Sequence, residues 1–307
     1  MKTKIWTALI AIYLVWGSTY LAIHFAVETI PPFLQAGIRF LISGAILIFW
    51  RRAMGDDLPT RSQWRSVAIV GILLLLGGNG MVSFGEQYVP SGIAALIVGT
   101  IPIWLVLIEA LRPGGVKPTW QAIVGLLTGL VGIYLLIGPS SFGGSLQFNA
   151  VGIAALLAAA VLWSIGSIYS RTADVPSSTL MMTGGEMITG SMALLVVSAA
   201  TGEWQTFDLS QVALHSWLGL LYLILIGSLV GFVSYGWLLR NAPVSLVATY
   251  PYVNPVVAVF LGNLLAQEPL TSRTLLAAGI IIGSVVFINS ARQPKVRKEA
   301  QEVIVGD

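Results

Sequence analysis

Apolar residues run along this chain in long blocks, and short polar or turn-forming stretches separate the blocks. A helix of about 20 mostly apolar residues crosses the hydrocarbon core of a bilayer. Ten blocks fit that length, at 5–25, 33–50, 65–85, 91–111, 119–138, 150–170, 178–199, 215–239, 245–266 and 273–291. Pro31-Pro32, Asp56-Asp57-Leu58-Pro59, Pro113-Gly114-Gly115, Val175-Pro176-Ser177-Ser178 and Ala242-Pro243 punctuate them as turns. The tightest connections, Gln87 to Pro90 and Arg240 to Pro243, predict antiparallel neighbours.

Composition agrees with the pattern. Only 9% of the 307 residues are charged, whereas a soluble domain carries about 25%. So few charges do not cover a water-facing surface, and lipid is the solvent for most of the chain. Cysteine is absent, which excludes disulfides, thiolate metal sites and a cysteine nucleophile. The two histidines, His24 and His215, are too few for a histidine-rich metal centre. The pattern calls for no metal and no cofactor. The first block holds Gly17-Ser18-Thr19-Tyr20, too polar for a signal-peptide core, and is expected to be helix 1 of the mature protein.

Lysine and arginine then orient the spans, because cytoplasmic loops are enriched in both. With the N-terminus inside, Lys2, Lys4, Arg51, Arg52, Arg61, Arg65, Arg112, Lys117, Arg171, Arg240, Arg292, Lys295, Arg297 and Lys298 all fall on the cytoplasmic side, fourteen of sixteen cations. Arg39 lies within helix 2 and Arg273 outside. Both termini are therefore expected in the cytoplasm of a multi-pass inner-membrane protein.

An internal repeat refines this. Ala8-Leu9-Ile10-Ala11 and Trp16 match Ala155-Leu156-Leu157-Ala158 and Trp163 at an offset of 147, as Gly37 matches Gly184 and Arg39 matches Glu186. At 153 to 154, Pro90 meets Pro243, Ala95 meets Ala248, Pro102 meets Pro255, Gly125 meets Gly279 and Gly129 meets Gly283. Five helices is an odd number, so the second repeat starts on the opposite face. The predicted fold is an all-α membrane protein, ten transmembrane helices arranged as two inverted five-helix repeats. The first repeat spans 1–145 and the second 146–291, with a polar cytoplasmic tail at 292–307. Transporters recur in this architecture, with the substrate site near the midplane between halves.

Particular stretches also resemble a known family. They are Trp16-Gly17-Ser18-Thr19-Tyr20, Pro31-Pro32 with Gly37-Ile38-Arg39-Phe40, Gly78-Asn79-Gly80-Met81-Val82, Val89-Pro90-Ser91-Gly92-Ile93-Ala94-Ala95, and Tyr252-Val253-Asn254-Pro255-Val256-Val257-Ala258-Val259. In these the chain resembles the drug/metabolite transporter superfamily, in its EamA-domain branch with the YedA-type inner-membrane transporters. The resemblance implies ten helices, cytoplasmic termini and export of small metabolites or amphipathic compounds. Members often end the fourth or ninth helix with a glutamate and a short polar turn. Glu268-Pro269-Leu270-Thr271 has that form, whereas Glu109 is followed by the longer stretch Ala110 to Pro118.

Buried charge is expensive in a bilayer and is almost always paired or functional. Arg39 and its repeat mate Glu186 lie near opposite faces, so each is expected to find a local partner. The predicted pairs are Arg39–Glu86 outside and Glu186–Arg240 inside, acting as braces or gates. The substrate-binding candidates are polar and aromatic groups at mid-depth: Trp16, Thr19, Tyr20, Asn79, Ser83, Trp104, Trp163, Ser167, Tyr235, Tyr250 and Asn254. Pro102 and Pro255 are expected to bend helices 4 and 9 and free carbonyls for a cavity wall. The expected cavity is walled by helices 1, 3, 4, 6, 8 and 9.

Such a lining favours neutral, zwitterionic or aromatic solutes, with free amino acids or amphipathic metabolites fitting best. Phosphorylated compounds need several convergent cations, and only Arg39 is buried. The expected function is an alternating-access carrier, an exporter in direction, of small organic metabolites such as amino acids or amphipathic compounds. An exchanger or facilitator fits the same residues. A membrane enzyme is the contrasting class, but there is no H-E-x-x-H, no G-x-S-x-G and no intramembrane aspartate pair. The expected partners are a small-molecule solute and the lipid bilayer, with no nucleic acid and no feature that fixes an oligomeric state.

Overall fold

The computed structural model describes residues 2–113, 115, 117–137, 149–242 and 249–291. They are helical apart from turns and connections. In chain order the long helices are α1 (Lys2–Val27), α2 (Pro32–Ala53), α3 (Arg61–Gly85), α4 (Ser91–Leu111), α5 (Trp120–Ile137), α6 (Ala150–Ser170), α7 (Thr179–Ala200), α8 (Leu214–Asn241), α9 (Tyr250–Ala266) and α10 (Ser272–Ala291). Seven of them, α1 to α4 and α6 to α8, are long and apolar enough to cross a membrane. Shorter apolar stretches lie in the other three, at Trp120–Leu136, Tyr250–Ala266 and Ser272–Ile288.

Three helices depart from regular α geometry. The middle of α3, Ile72–Gly80, and the middle of α8, Leu223–Val230, are π-helical. Wider π turns displace carbonyls from their usual partners and cluster at functional sites. The third departure is in α4, which stops at Val98 and restarts at Ile101. Pro102 sits in the first turn of the second piece, where its missing N–H costs nothing. The expected bend at Pro102 is thus a break just before it. Pro255 does lie inside α9.

Helix starts show how the elements lock together. Thr60 and Gln63 form a reciprocal capping box at α3, and Asn149 and Ser178 cap α6 and α7. Both α2 and α4 open after a proline, which has no side-chain acceptor to offer. A distant glutamate supplies it. Glu203 accepts from the backbone N–H groups of Phe33 and Leu34, at 3.3 and 2.8 Å. Glu268 accepts from those of Ser91 and Gly92, at 2.6 and 2.9 Å. Carboxylates suit these positions because helix N-termini carry unpaired donors and partial positive charge. Glu109 instead pairs locally with Arg112 at 2.9 Å.

Packing is densest where small residues let helices approach. A Cβ at Gly44 of α2 would lie 2.8 Å from that of Met187 on α7, and one at Gly184 would press on Ile48. Close backbone approach of this kind is the usual basis of association in lipid, where no hydrophobic drive separates helix from tail. One apolar cluster joins α1, α3, α4, α6, α8 and α10 around Ile23, Val82, Leu96, Leu156, Leu223 and Ile281. A second joins α2, α3 and α7 around Phe40, Leu75, Met187 and Leu194. Large apolar side chains such as Phe49, Leu111, Val196 and Leu214 point outward.

Candidate functional site

A cavity of about 140 Å³ lies among α1, α2, α3, α4, α6, α8 and α9. From α1 come Trp16, Thr19, Tyr20 and Ile23, the i, i+3, i+4, i+7 set that forms one helix face. From α6 come Ala159 and Trp163, one turn apart. The π segment of α3 contributes Gly78 and Asn79, followed by Val82. The break in α4 places Val98, Gly99 and Ile101 on the wall. From α9 come Tyr250, Pro251, Asn254 and Pro255, and from α8 Phe232.

Two tryptophans are seated on glycines. A Cβ at Gly78 would fall 2.6 Å from the Trp163 ring, so only glycine leaves room for the indole. Gly231 on α8 makes the same room for Trp16. The Trp16 ring is held edge-on by Phe232 at 5.4 Å and Tyr250 at 4.9 Å, with Tyr235 at 5.2 Å. Its indole N–H donates to the Gly227 carbonyl, 3.3 Å away in the π segment of α8. The Asn79 amide likewise donates to the Leu74 carbonyl at 3.4 Å, in the π segment of α3. Both contacts use carbonyls within the two irregular stretches.

Polarity in the lining is sparse. Arg39 is the charged lining residue. Its Nε donates to Ser228 Oγ at 3.0 Å, and its guanidinium lies 4.6 Å from the Phe40 ring centroid. Asn254 is buried, and its Oδ1 has no hydrogen-bond partner among the described residues. Among the described residues, no group of three or more His, Asp or Glu side chains is arranged to hold a metal ion.

The candidates separate accordingly. The cavity brings together Trp16, Thr19, Tyr20, Asn79, Trp163, Tyr250 and Asn254, with Arg39 and Pro255. Tyr235 stands behind Trp16 and Tyr250 as a second layer. Ser83 is buried and donates to Gln35 Oε1 at 3.4 Å, between α3 and α2. Trp104 turns to Thr100 Oγ1 at 3.1 Å, and Ser167 is not in the lining. Pro102 is also outside it.

The expected Arg39–Glu86 ion pair is not made. No nitrogen–oxygen approach within 4.0 Å joins them among the described residues, and Arg39 takes Ser228 instead. Glu86 is 2% exposed, and neither carboxyl oxygen has a hydrogen-bond partner among the described residues. Glu186 is buried. The Arg240 side chain, its predicted partner, lies outside the described residues. Pairs from the repeat, Pro90 with Pro243 and Ala95 with Ala248, likewise have second members outside them.

Sequence reasoning missed Phe232, Val98, Gly99, Ile101 and Ala159. They are apolar residues on apolar helices, and no polar signal marks which face turns inward.

Comparison with known proteins places the chain in context. The sequence profile of the EamA-like transporter family matches residues 3–138 and again 150–290. The protein is 38% identical over 283 residues to the "Uncharacterized inner membrane transporter YedA" of Escherichia coli K12, covering 92% of this chain and 89% of that one. It is 26% identical over 298 residues to the "Uncharacterized transporter YvbV" of Bacillus subtilis, covering 94% and 92%. One crystal structure, 22% identical, superposes with a TM-score of 0.63 over 93% of this chain and 96% of its own, which shows a shared fold.

Proposed function

This chain belongs to the EamA-like transporter family, and from that premise we propose that it is an alternating-access carrier. It exports small organic metabolites, amino acids or amphipathic compounds, across the inner membrane. The observation that carries the reading is the central cavity, lined from both matched stretches by aromatic rings and a few polar groups. Such a lining surrounds an organic solute without the continuous polar path that a channel needs.

The carrier reading includes ten spans in two inverted repeats, 1–145 and 146–291, with both termini and the tail 292–307 in the cytoplasm. Several pairings support it. Helices α2 and α7 pack on each other, as do α5 and α10, and each is the repeat mate of the other. Packing of α1 against α8 has its counterpart in α6 against α3. Trp16 rests on Gly231 as Trp163 rests on Gly78, and these are repeat mates at 147 and 153. The π segments of α3 and α8 are also mates. Two halves with the same internal contacts supply two nearly equivalent arrangements, one open to each side. Arg39 and Glu86 act as gate charges that engage in the alternative arrangement.

Counterflow in liposomes tests the function. Vesicles containing the purified protein are loaded with unfractionated small metabolites and challenged with labelled solutes. Saturable uptake, slowed by Trp163→Ala, is expected. Uptake only under exchange conditions identifies an obligatory exchanger, and no flux of any solute overturns the carrier.

A further inference from the structure

Among the described residues, Arg39 is the one charged group in the cavity lining. Its side chain is 4% exposed at the residue level yet reaches the lining. Nε is spent on Ser228, and the Phe40 ring lies beneath the guanidinium. Among the described residues, no hydrogen bond joins either terminal nitrogen to an acceptor, and Nη2 lies beside Gly227, where an added Cβ would come within 3.4 Å of it. A guanidinium held by Nε with its two terminal groups free presents a planar fork that matches a carboxylate.

Glu86 does not fill that role. Among the described residues the Glu86 carboxyl oxygens have no hydrogen-bond partner and make no ion pair with Arg39 within 4.0 Å, and a carboxylate so sealed from water is costly to ionise. Glu86 attracts Arg39 only at a distance, without an ion pair, and the other titratable groups that act on Glu86, Tyr20 on α1 and Glu268 before α10, supply Arg39 with no counter-charge. Arg39 is therefore a buried cation in the wall of an aromatic cavity, with no ion-pair partner among the described residues.

We propose that Arg39 is the carboxylate receptor of the transport site, and that the substrate class is small organic acids with one carboxylate and an apolar or aromatic body. This rests on the carrier reading above. The body lies among Trp16, Trp163 and Tyr250. Asn254 Oδ1, buried and unpartnered among the described residues, accepts from a substrate N–H or O–H where one is present. A second carboxylate finds no second cation among the described lining residues, so dianions are expected to be disfavoured.

Matched probes separate this from the carrier reading. The full chain is purified in detergent, and binding of 3-phenylpropionate, its amide and phenethylamine is measured by calorimetry and thermal shift. The acid is expected to bind at least about tenfold tighter than the amide, the scale of a charge-assisted bidentate pair. The amine is expected not to bind. Arg39→Gln should bring the acid down to the level of the amide. Arg39→Lys should recover part of the preference, because a lysine keeps the charge without the fork.

The acid-to-amide ratio in the unaltered protein is decisive even if Arg39→Gln fails to fold. Equal binding of acid and amide overturns the receptor and leaves the carrier standing. So does an Arg39→Gln protein that folds and keeps the ratio. If none of the probes binds, the receptor is overturned, while the carrier is judged separately by counterflow.

Discussion

At the scale of single residues, the site depends on two missing side chains. Gly78 and Gly231 sit under Trp163 and Trp16. Adding one methyl at either position pushes an indole out of a packed wall, and overpacking of this kind costs about 1–3 kcal/mol. Gly78→Ala and Gly231→Ala are expected to lower thermal stability in detergent and to slow counterflow by more than the stability loss accounts for. Gly279→Ala is the control. Among the described residues nothing lies within 4 Å of its Cβ position on α10, and alanine is the better helix former. It should be neutral or stabilising by about 0.5–1 kcal/mol. If all three behave alike, the glycines are not seats for the tryptophans.

At the scale of elements, the prolines that open α2 and α4 leave helix ends needing acceptors from elsewhere. Glu203 and Glu268, both from the second half of the chain, supply them to helices of the first half. Each contact is a charge-assisted pair at a helix N-terminus. Glu268→Gln keeps an acceptor and loses the charge, with an expected cost of about 1 kcal/mol. Glu268→Ala loses both bonds, with an expected cost of about 2 kcal/mol. Thermal unfolding should rank the three proteins in that order, and Glu203 should behave in the same way. An unchanged midpoint for Glu268→Ala means that water replaces the carboxylate.

Element boundaries were legible in the sequence because length and turn residues carry them. The block 150–170 coincides with α6, and 91–111 coincides with α4. The inner irregularities were not legible. Ile72–Gly80 reads as Ile-Leu-Leu-Leu-Leu-Gly-Gly-Asn-Gly, and nothing local in that run distinguishes π from α turns. Site residues followed the same division. Trp16, Asn79, Trp163 and Asn254 stood out as polar or aromatic groups at mid-depth, where they cannot be interfacial anchors. Ser83 and Trp104 stood out for the same reason, yet they spend their hydrogen bonds on Gln35 and Thr100. A helix in lipid is apolar on every side, so its inward face is set by neighbours and not by periodicity. Arg39 shows the limit most clearly. Charge pairing pointed to Glu86, whereas the structure gives it a serine hydroxyl contributed by the π segment of α8.

At the scale of the whole molecule, the proposed inversion makes a demand that a parallel repeat does not. The loop after α2 and the loop after α7 are repeat mates at an offset of 147, carrying Asp57 in one and Trp204 with Gln205 in the other. Five spans separate them. An odd number puts them on opposite faces of the membrane, and an even number puts them on the same face. The cation count assigns Asp57 to the cytoplasm and Gln205 to the outside. Because the protein contains no cysteine, Asp57→Cys and Gln205→Cys each introduce a single thiol on an otherwise silent background. Both positions are exposed loop or short-turn sites, so neither change disturbs packing. In intact cells, a membrane-impermeant maleimide should label Gln205→Cys and leave Asp57→Cys untouched until the membrane is permeabilised. The reverse result inverts the whole orientation but keeps the odd count. Equal labelling of both from one side removes one span between them. The two halves then cease to be inverted, and the symmetric pairing of Trp16 with Gly231 and Trp163 with Gly78 loses its role in exchanging one open face for the other.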